Sequence, residues 1–218
     1  MFLPRECLHC CKIIPTKNNL YFCKECYSHL ISQIINSTNT SDFLAKNNIP
    51  VNNIFSLFKF EKETPSQSLI HNLKYKSQIN IGIELGKMLS QKFELEINRF
   101  NIDILIPVPL HLIKKFSRGY NQTEFIAKGI SGFTKIPTNP NVLKRNKYTR
   151  SQTKFSKEER KLNIQEAFKL CTNADIVDKR IALVDDVITT GSTISECSEI
   201  LFEAGAKKVY AMSIALVI

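Results

Sequence analysis

The chain has 218 residues, 43% of them hydrophobic, and a formal net charge of +10. That is enough apolar content for one full-sized domain with a small appendage and excludes global disorder. No apolar run approaches the roughly 20 residues that cross a bilayer. "MFLPRECLHC" lacks a charged segment leading into an apolar one, so the expectation is a soluble cytoplasmic protein with no membrane insertion.

In chain order, the first feature is a cysteine cluster. Five of the seven cysteines fall within the first 26 residues. Cys7 and Cys10 form one Cys-x-x-Cys knuckle, and after twelve residues Cys23 and Cys26 form another. Four thiolates brought together by a short hairpin are what a tetrahedral structural zinc takes, with no coordination position left for catalysis. Cys11 and His9 compete as ligands but stay outside the expected set, and "IPTKNNLYF" reads as strand, turn, strand. Residues 1–36 are therefore expected to form a zinc ribbon with a following helix. Residues 37–53, "STNTSDFLAKNNIPVNN", are polar and read as a linker.

From residue 54 the pattern becomes alternating strands and helices. "IFSLFKF", "IDILIPVPL", "RIALVDDV" and "KKVYAMSIALVI" read as strands. "SQSLIHNLKYK", "INIGIELGKMLSQKFELEI", "NQTEFIAKGI" and "GSTISECSEILFEAGA" carry helical spacing, with an Asn cap before the third and Gly205 stopping the last. Strands apolar along their whole length, alternating with helices, imply an α/β domain over 54–218. Its sheet is expected to be mostly parallel, with helices on both faces. Between these elements, residues 111–170 hold 14 Lys and Arg against 4 Asp and Glu, and the rest of the chain holds 16 of each. The whole excess sits in one stretch and implies a polyanionic partner there.

In such sheets ligands bind beyond the carboxyl ends of the strands. "IALVDDVITTGST" ends a strand on Asp185 and Asp186 and turns through Thr189, Thr190, Gly191, Ser192 and Thr193 into a helix. The helix N-terminus and the hydroxyls make a phosphate cradle. Two carboxylates do not bind phosphate; they suit a sugar's vicinal hydroxyls or a divalent metal beside it. A ribose 5-phosphate satisfies both halves. A strand end with solvated carboxylates is the plainer alternative, and without a Lys after the glycine the stretch is not a Walker loop.

"ALVDDVITTGST" resembles the phosphoribosyl-pyrophosphate signature of type I phosphoribosyltransferases. With the cysteine ribbon, "LIHNLKYK", "IPVPLHLIKKFSRGYNQTEFIAKGI" and "RNKYTRSQTKFSKEERKLNIQEAF", the chain resembles the ComF family of competence-associated proteins nearly end to end. The resemblance implies that Asp185 and Asp186 take the ribose hydroxyls and that Thr189 to Thr193 wrap the 5-phosphate. It places Lys114 and Arg118 at the pyrophosphate, with Lys114 supplying a point charge where arginine is common. Arg145, Thr149, Gln152, Arg160 and Asn163 match the spaced pattern of the basic loop, and Lys147 departs from it. Magnesium would accompany the sugar diphosphate.

The resemblance thus implies a phosphoribosyltransferase-like protein with a role in DNA uptake. No segment reads as a dedicated base-recognition hood. The rival reading is a non-catalytic single-stranded DNA-binding factor, with Phe116, Tyr120, Tyr148 and Phe155 as stacking platforms. A third reading has the ribbon docking a protein partner such as a competence helicase. Of the histidines, His111 stands nearer the expected site than His71 as an acid or base.

Overall fold

The computed structural model describes residues 5–14, 21–75, 78–146, 167–171 and 175–218. Its centre is a four-stranded parallel sheet of β3 (Asn53–Lys59), β8 (Lys208–Leu216), β7 (Arg180–Ile188) and β4 (Ile104–Pro107), in that spatial order. The pairing is in register from Ile104 opposite Ile181 on one side and from Arg180 opposite Lys208 on the other. At its start, β7 is fastened to the residue before β4: Arg180 donates to both carboxylate oxygens of Asp103, from Nε at 2.9 Å and from a terminal nitrogen at 2.8 Å. Lacking any hairpin between them, these parallel strands must be crossed by helices, and the apolar residues on each face are covered accordingly.

One face is covered by α3 (Pro65–Tyr75), α4 (Ile79–Lys92) and α7 (Gln122–Thr134), with a core that includes Leu73, Leu89, Ile126, Ala182, Val184 and Met212. Helices α4 and α7 touch backbone to backbone. A Cβ on Gly86 would lie 2.1 Å from the carbonyl oxygen of Ile126, and one on Gly129 would lie 2.1 Å from that of Ile83. Only glycine permits that approach. The long apolar stretch expected as one helix is broken at Phe93 into α4 and α5 (Glu94–Phe100).

The other face packs α8 (Ser192–Glu203), α2 (Ser37–Asn47) and a small antiparallel pair, β5 (Leu143–Arg145) with β6 (Phe168–Leu170). The α2 segment corrects an expectation. Residues 37–53 are not a loose linker: a capping box between Asn36 and Asn39 starts a helix there. Phe43, on that helix, and Ile49, just after it, are buried in the same core as Ile188 and Ile194.

At the N-terminus, β1 (Arg5–Glu6) pairs with β2 (Ile13–Ile14) and leads to α1 (Lys24–Ser32). This ribbon is seated on the main body. Cys7, Ile14, Phe22, Cys26 and Leu30 belong to the core that holds Leu69 and Leu73 of α3. His9 Nδ1 lies 3.0 Å from Ser68 Oγ on the same helix. Short α6 (Leu112–Arg118) completes the described elements. No helix among the described residues is long and apolar enough to cross a membrane.

Candidate functional site

Strand alternation decides how the two aspartates are used. Over the first half of β7, Ile181 and Leu183 face the α8 side, and even-numbered Ala182 and Val184 face the α7 side. Asp186 follows the even set and is only 4% exposed. Its Oδ2 receives Gln122 Nε2 at 2.8 Å and Lys74 Nζ at 3.1 Å, while Oδ1 accepts from the Val187 N–H at 2.7 Å. Asp185 is half-buried, and its Oδ1 accepts from the Asp186 N–H at 2.8 Å. Burial, and after it the charge of Asp186, pushes the Asp185 carboxyl up to about 7.

Beyond the strand, the turn is exposed at Thr189 and buried at Gly191. Thr190 Oγ1 and Ser192 Oγ are 2.8 Å apart, and Gly191 caps α8 in the left-handed conformation at φ +77°. The first-turn N–H groups of α8 lack intrahelical partners, as at any helix start. A cavity of about 410 Å³ opens between this turn and α2, lined by Asn39, Asp42, Lys46, Asn47, Thr189 and Thr190 among others.

The basic residues divide into two groups. Arg118, at the end of α6, donates to Gln122 Oε1 at 3.1 Å, and its guanidinium carbon lies 5.0 Å from the centre of the Tyr75 ring. Gln122 therefore joins Arg118 to Asp186. Arg145 lies on the opposite side, 4.9 Å from the centre of the Phe168 ring, where it adds positive charge near Asp185 and Glu196. Burial lowers the Arg145 guanidinium from its ordinary value. The backbone of Lys114 belongs to α6. Gln152, Arg160, Thr149, Asn163, Lys147, Tyr148 and Phe155 lie outside the described residues.

The expectation for Tyr120 changes. Tyr120 is not a stacking platform: it is 8% exposed, its hydroxyl donates to the Leu73 carbonyl, and its ring meets Phe125 edge-on. His111 caps α6, with Nδ1 accepting from the Ile113 N–H at 3.2 Å and Nε2 at 3.2 Å from the Asn146 carbonyl. That pairing calls for the neutral tautomer protonated on Nε2. Lys74 and Gln122 are the residues that sequence reasoning missed. They sit in "LKYK" and "RGYNQ", stretches quoted for family resemblance, but nothing local pairs them with Asp186.

The cysteine cluster is a separate centre. The sulfurs of Cys7, Cys10, Cys23 and Cys26 all lie within 4.8 Å of one another, with Cys10 and Cys23 3.6 Å apart. Zinc–sulfur bonds of about 2.3 Å in a tetrahedron place sulfurs roughly 3.8 Å apart, so the tetrad fits that ion. His9 is taken up by Ser68, and Cys11 is exposed.

No protein-family model matches the chain. Over 159 residues, 69% of this chain and 68% of the relative, it is 33% identical to Competence protein F of Haemophilus influenzae. Over 149 residues, 66% of this chain and 64% of the relative, it is 30% identical to DNA utilization protein YhgH of Shigella flexneri. It is also 31% identical over 167 residues to amidophosphoribosyltransferase of Escherichia coli, a match that covers 73% of this chain and 28% of that enzyme.

Proposed function

The chain belongs to the competence protein F family, and from that premise we propose that it binds phosphoribosyl pyrophosphate, or a related ribose 5-phosphate, together with magnesium. The observation that carries this reading is one juxtaposition. The half-buried Asp185 carboxylate lies near the end of the strand that runs into the hydroxyl-rich turn opening α8, and the next residue of that strand is tied through Gln122 to Arg118.

In this reading the 5-phosphate sits on the turn. Backbone N–H groups at the start of α8 and the hydroxyls of Thr189, Thr190, Ser192 and Thr193 supply its donors. Asp185 receives the ribose hydroxyls and is the side chain that would hold magnesium. When bound, that ion supplies positive charge to the pyrophosphate. Arg118 and Lys114 meet the leaving pyrophosphate, where negative charge grows in the transition state and fixed cations are most effective. The cavity beside Thr189 and Thr190 opens at the turn this reading gives to the 5-phosphate, and the protein is then a phosphoribosyltransferase. In the ribbon, Cys7, Cys10, Cys23 and Cys26 hold a structural zinc.

Calorimetry of zinc-loaded protein with phosphoribosyl pyrophosphate, with and without magnesium, tests this. The expectation is binding that requires magnesium and weakens at least tenfold in Asp185→Asn. Absence of binding in both conditions overturns it.

A second reading, single-stranded DNA binding in DNA uptake, is favoured by Phe116. That ring is 94% exposed on α6, beside exposed Leu112 and Ile113 and within the stretch that holds the chain's basic excess. An exposed aromatic among cations is a platform for a nucleic-acid base.

A further inference from the structure

The geometry points to Lys74 as the resident cation of Asp186, a positioning residue that fills on this carboxylate the place a divalent metal would take. The inference concerns the ion pair itself and does not depend on which ligand the site binds.

Three donors already converge on the Asp186 carboxylate, where a metal would have to displace them. The ammonium of Lys74 and the amide of Gln122 converge on Oδ2, at 3.1 and 2.8 Å, and the Val187 N–H holds Oδ1 at 2.7 Å. The carboxylate is almost wholly enclosed, and Gln122 is only 3% exposed. An enclosed carboxylate keeps its charge only if a cation and hydrogen bonds accompany it. Here the protein itself supplies both.

Lys74 is held in place by its helix. It lies in the last turn of α3, where the carbonyl oxygens lack intrahelical partners. One of these, on Leu73, receives the Tyr120 hydroxyl, so the residue before Lys74 is pinned to the start of α7. Leu69 and Leu73 are buried on the same helix, and Tyr75, the next residue, lies under the Arg118 guanidinium. The ammonium is thus carried on a fastened turn, unlike a surface lysine on a free stem. The consequence is a division of labour between neighbouring carboxylates. Asp186 is charge-compensated from within and anchors Gln122 and, through it, Arg118. Asp185 has Arg145 in its neighbourhood, but its described hydrogen bond comes from the Asp186 N–H and not from a cation, so it is the carboxylate left to take an external one.

Manganese, added alone to the zinc-loaded full chain and followed by the loss of its free-ion electron paramagnetic resonance signal, tests this without any sugar phosphate. In the parent protein, Asp186→Asn is expected to change manganese affinity by less than twofold, because Lys74 already occupies that carboxylate. Lys74→Met is expected to gain at least tenfold in manganese affinity. Asp186→Asn on the Lys74→Met background should abolish the gain, and Lys74→Arg should not show it. A loss of manganese binding in Asp186→Asn alone overturns the inference, as does a folded Lys74→Met protein with parental affinity. If Lys74→Met does not fold, the Asp186→Asn titration still decides. None of these outcomes bears on phosphoribosyl pyrophosphate, so the failure of either reading is recognised separately.

Discussion

A Cβ placed on Gly191 would lie 2.0 Å from Cδ1 of Ile49. Ile49 arrives from the end of α2, so a helix that the sequence presents as polar filler braces the turn at the head of α8. The contact makes glycine necessary at 191 for two independent reasons. Its φ of +77° disfavours any side chain, and the space for one is already filled. Gly191→Ala is expected to cost about 2–3 kcal/mol in urea unfolding, about 1–2 of it from the left-handed backbone. Adding Ile49→Ala should recover the clash portion of a ligand-binding defect at the turn while leaving the backbone portion. A Gly191→Ala protein as stable as the parent would show that the turn is not braced in this way.

Asp185 gives the site a pH dependence of known sign. Its carboxyl is raised to about 7 in the folded protein, above the ordinary 3.8. Between these values the folded state binds the proton that the unfolded state releases, so stability falls as pH rises through that window. Asp185→Asn removes this penalty. The variant should be more stable than the parent at pH 8, by about 1–2 kcal/mol after allowance for solvent at a half-buried group, and nearly equal to it at pH 4. Ligand binding should run the other way. Magnesium-dependent affinity should climb between pH 6 and pH 8 in the parent, because only the ionised carboxylate serves a cation. A flat affinity profile would remove Asp185 from the binding reading.

Much of this architecture is legible from residue pattern because apolar strands and amphipathic helices announce themselves locally. Asn121 capping α7, Gly205 ending α8 and the four strands of the sheet all follow from spacing and turn chemistry. The failures share a physical cause, which is tertiary contact. "STNTSDFLAKN" is rich in residues that favour turns, and it becomes α2 because Asn36 and Asn39 cap each other and Phe43 finds a core. Tyr120 reads as an exposed aromatic in a basic stretch until the Leu73 carbonyl is brought to it. The carboxylate pair reads as one unit in sequence, and strand alternation divides it. Lys74 and Gln122 acquire meaning only where three separate elements converge on Asp186.

The ribbon should be structural for the whole chain and not merely for itself. Cys7 and Cys26 are buried in the core shared with α3, the helix that carries Lys74. Metal analysis is expected to return one zinc per chain, and Cys11→Ser should leave that content unchanged. Stripping the metal, or Cys26→Ser, should lower the melting temperature by roughly 10 °C, the scale of a loss of about 3 kcal/mol in a chain of this size. The thermal shift should be accompanied by weaker ligand binding, because α3 loses part of its seat. An unchanged melting curve after complete metal removal would separate the ribbon from the fold of the main domain.

Phe116 and Tyr120 distinguish a nucleic-acid surface from a general basic attraction. Both are aromatic and four residues apart, but one is almost fully exposed and the other is buried against Leu73 and Phe125. If a single strand runs over α6, Phe116→Ala should remove one stacking contact. Base–aromatic stacking is worth about 1–3 kcal/mol, so affinity for a single-stranded oligonucleotide should fall about tenfold or more. Tyr120→Phe should leave that affinity unchanged and instead lower stability by about 1 kcal/mol through loss of its hydrogen bond. The salt dependence must agree. Contacts from the basic stretch to phosphates make log affinity fall linearly with log salt, whereas a single stacked base contributes almost nothing to that slope. Phe116→Ala should therefore shift the line downward without changing its gradient. A variant that alters the gradient, or leaves affinity untouched, would assign the exposed ring to some surface other than a DNA path.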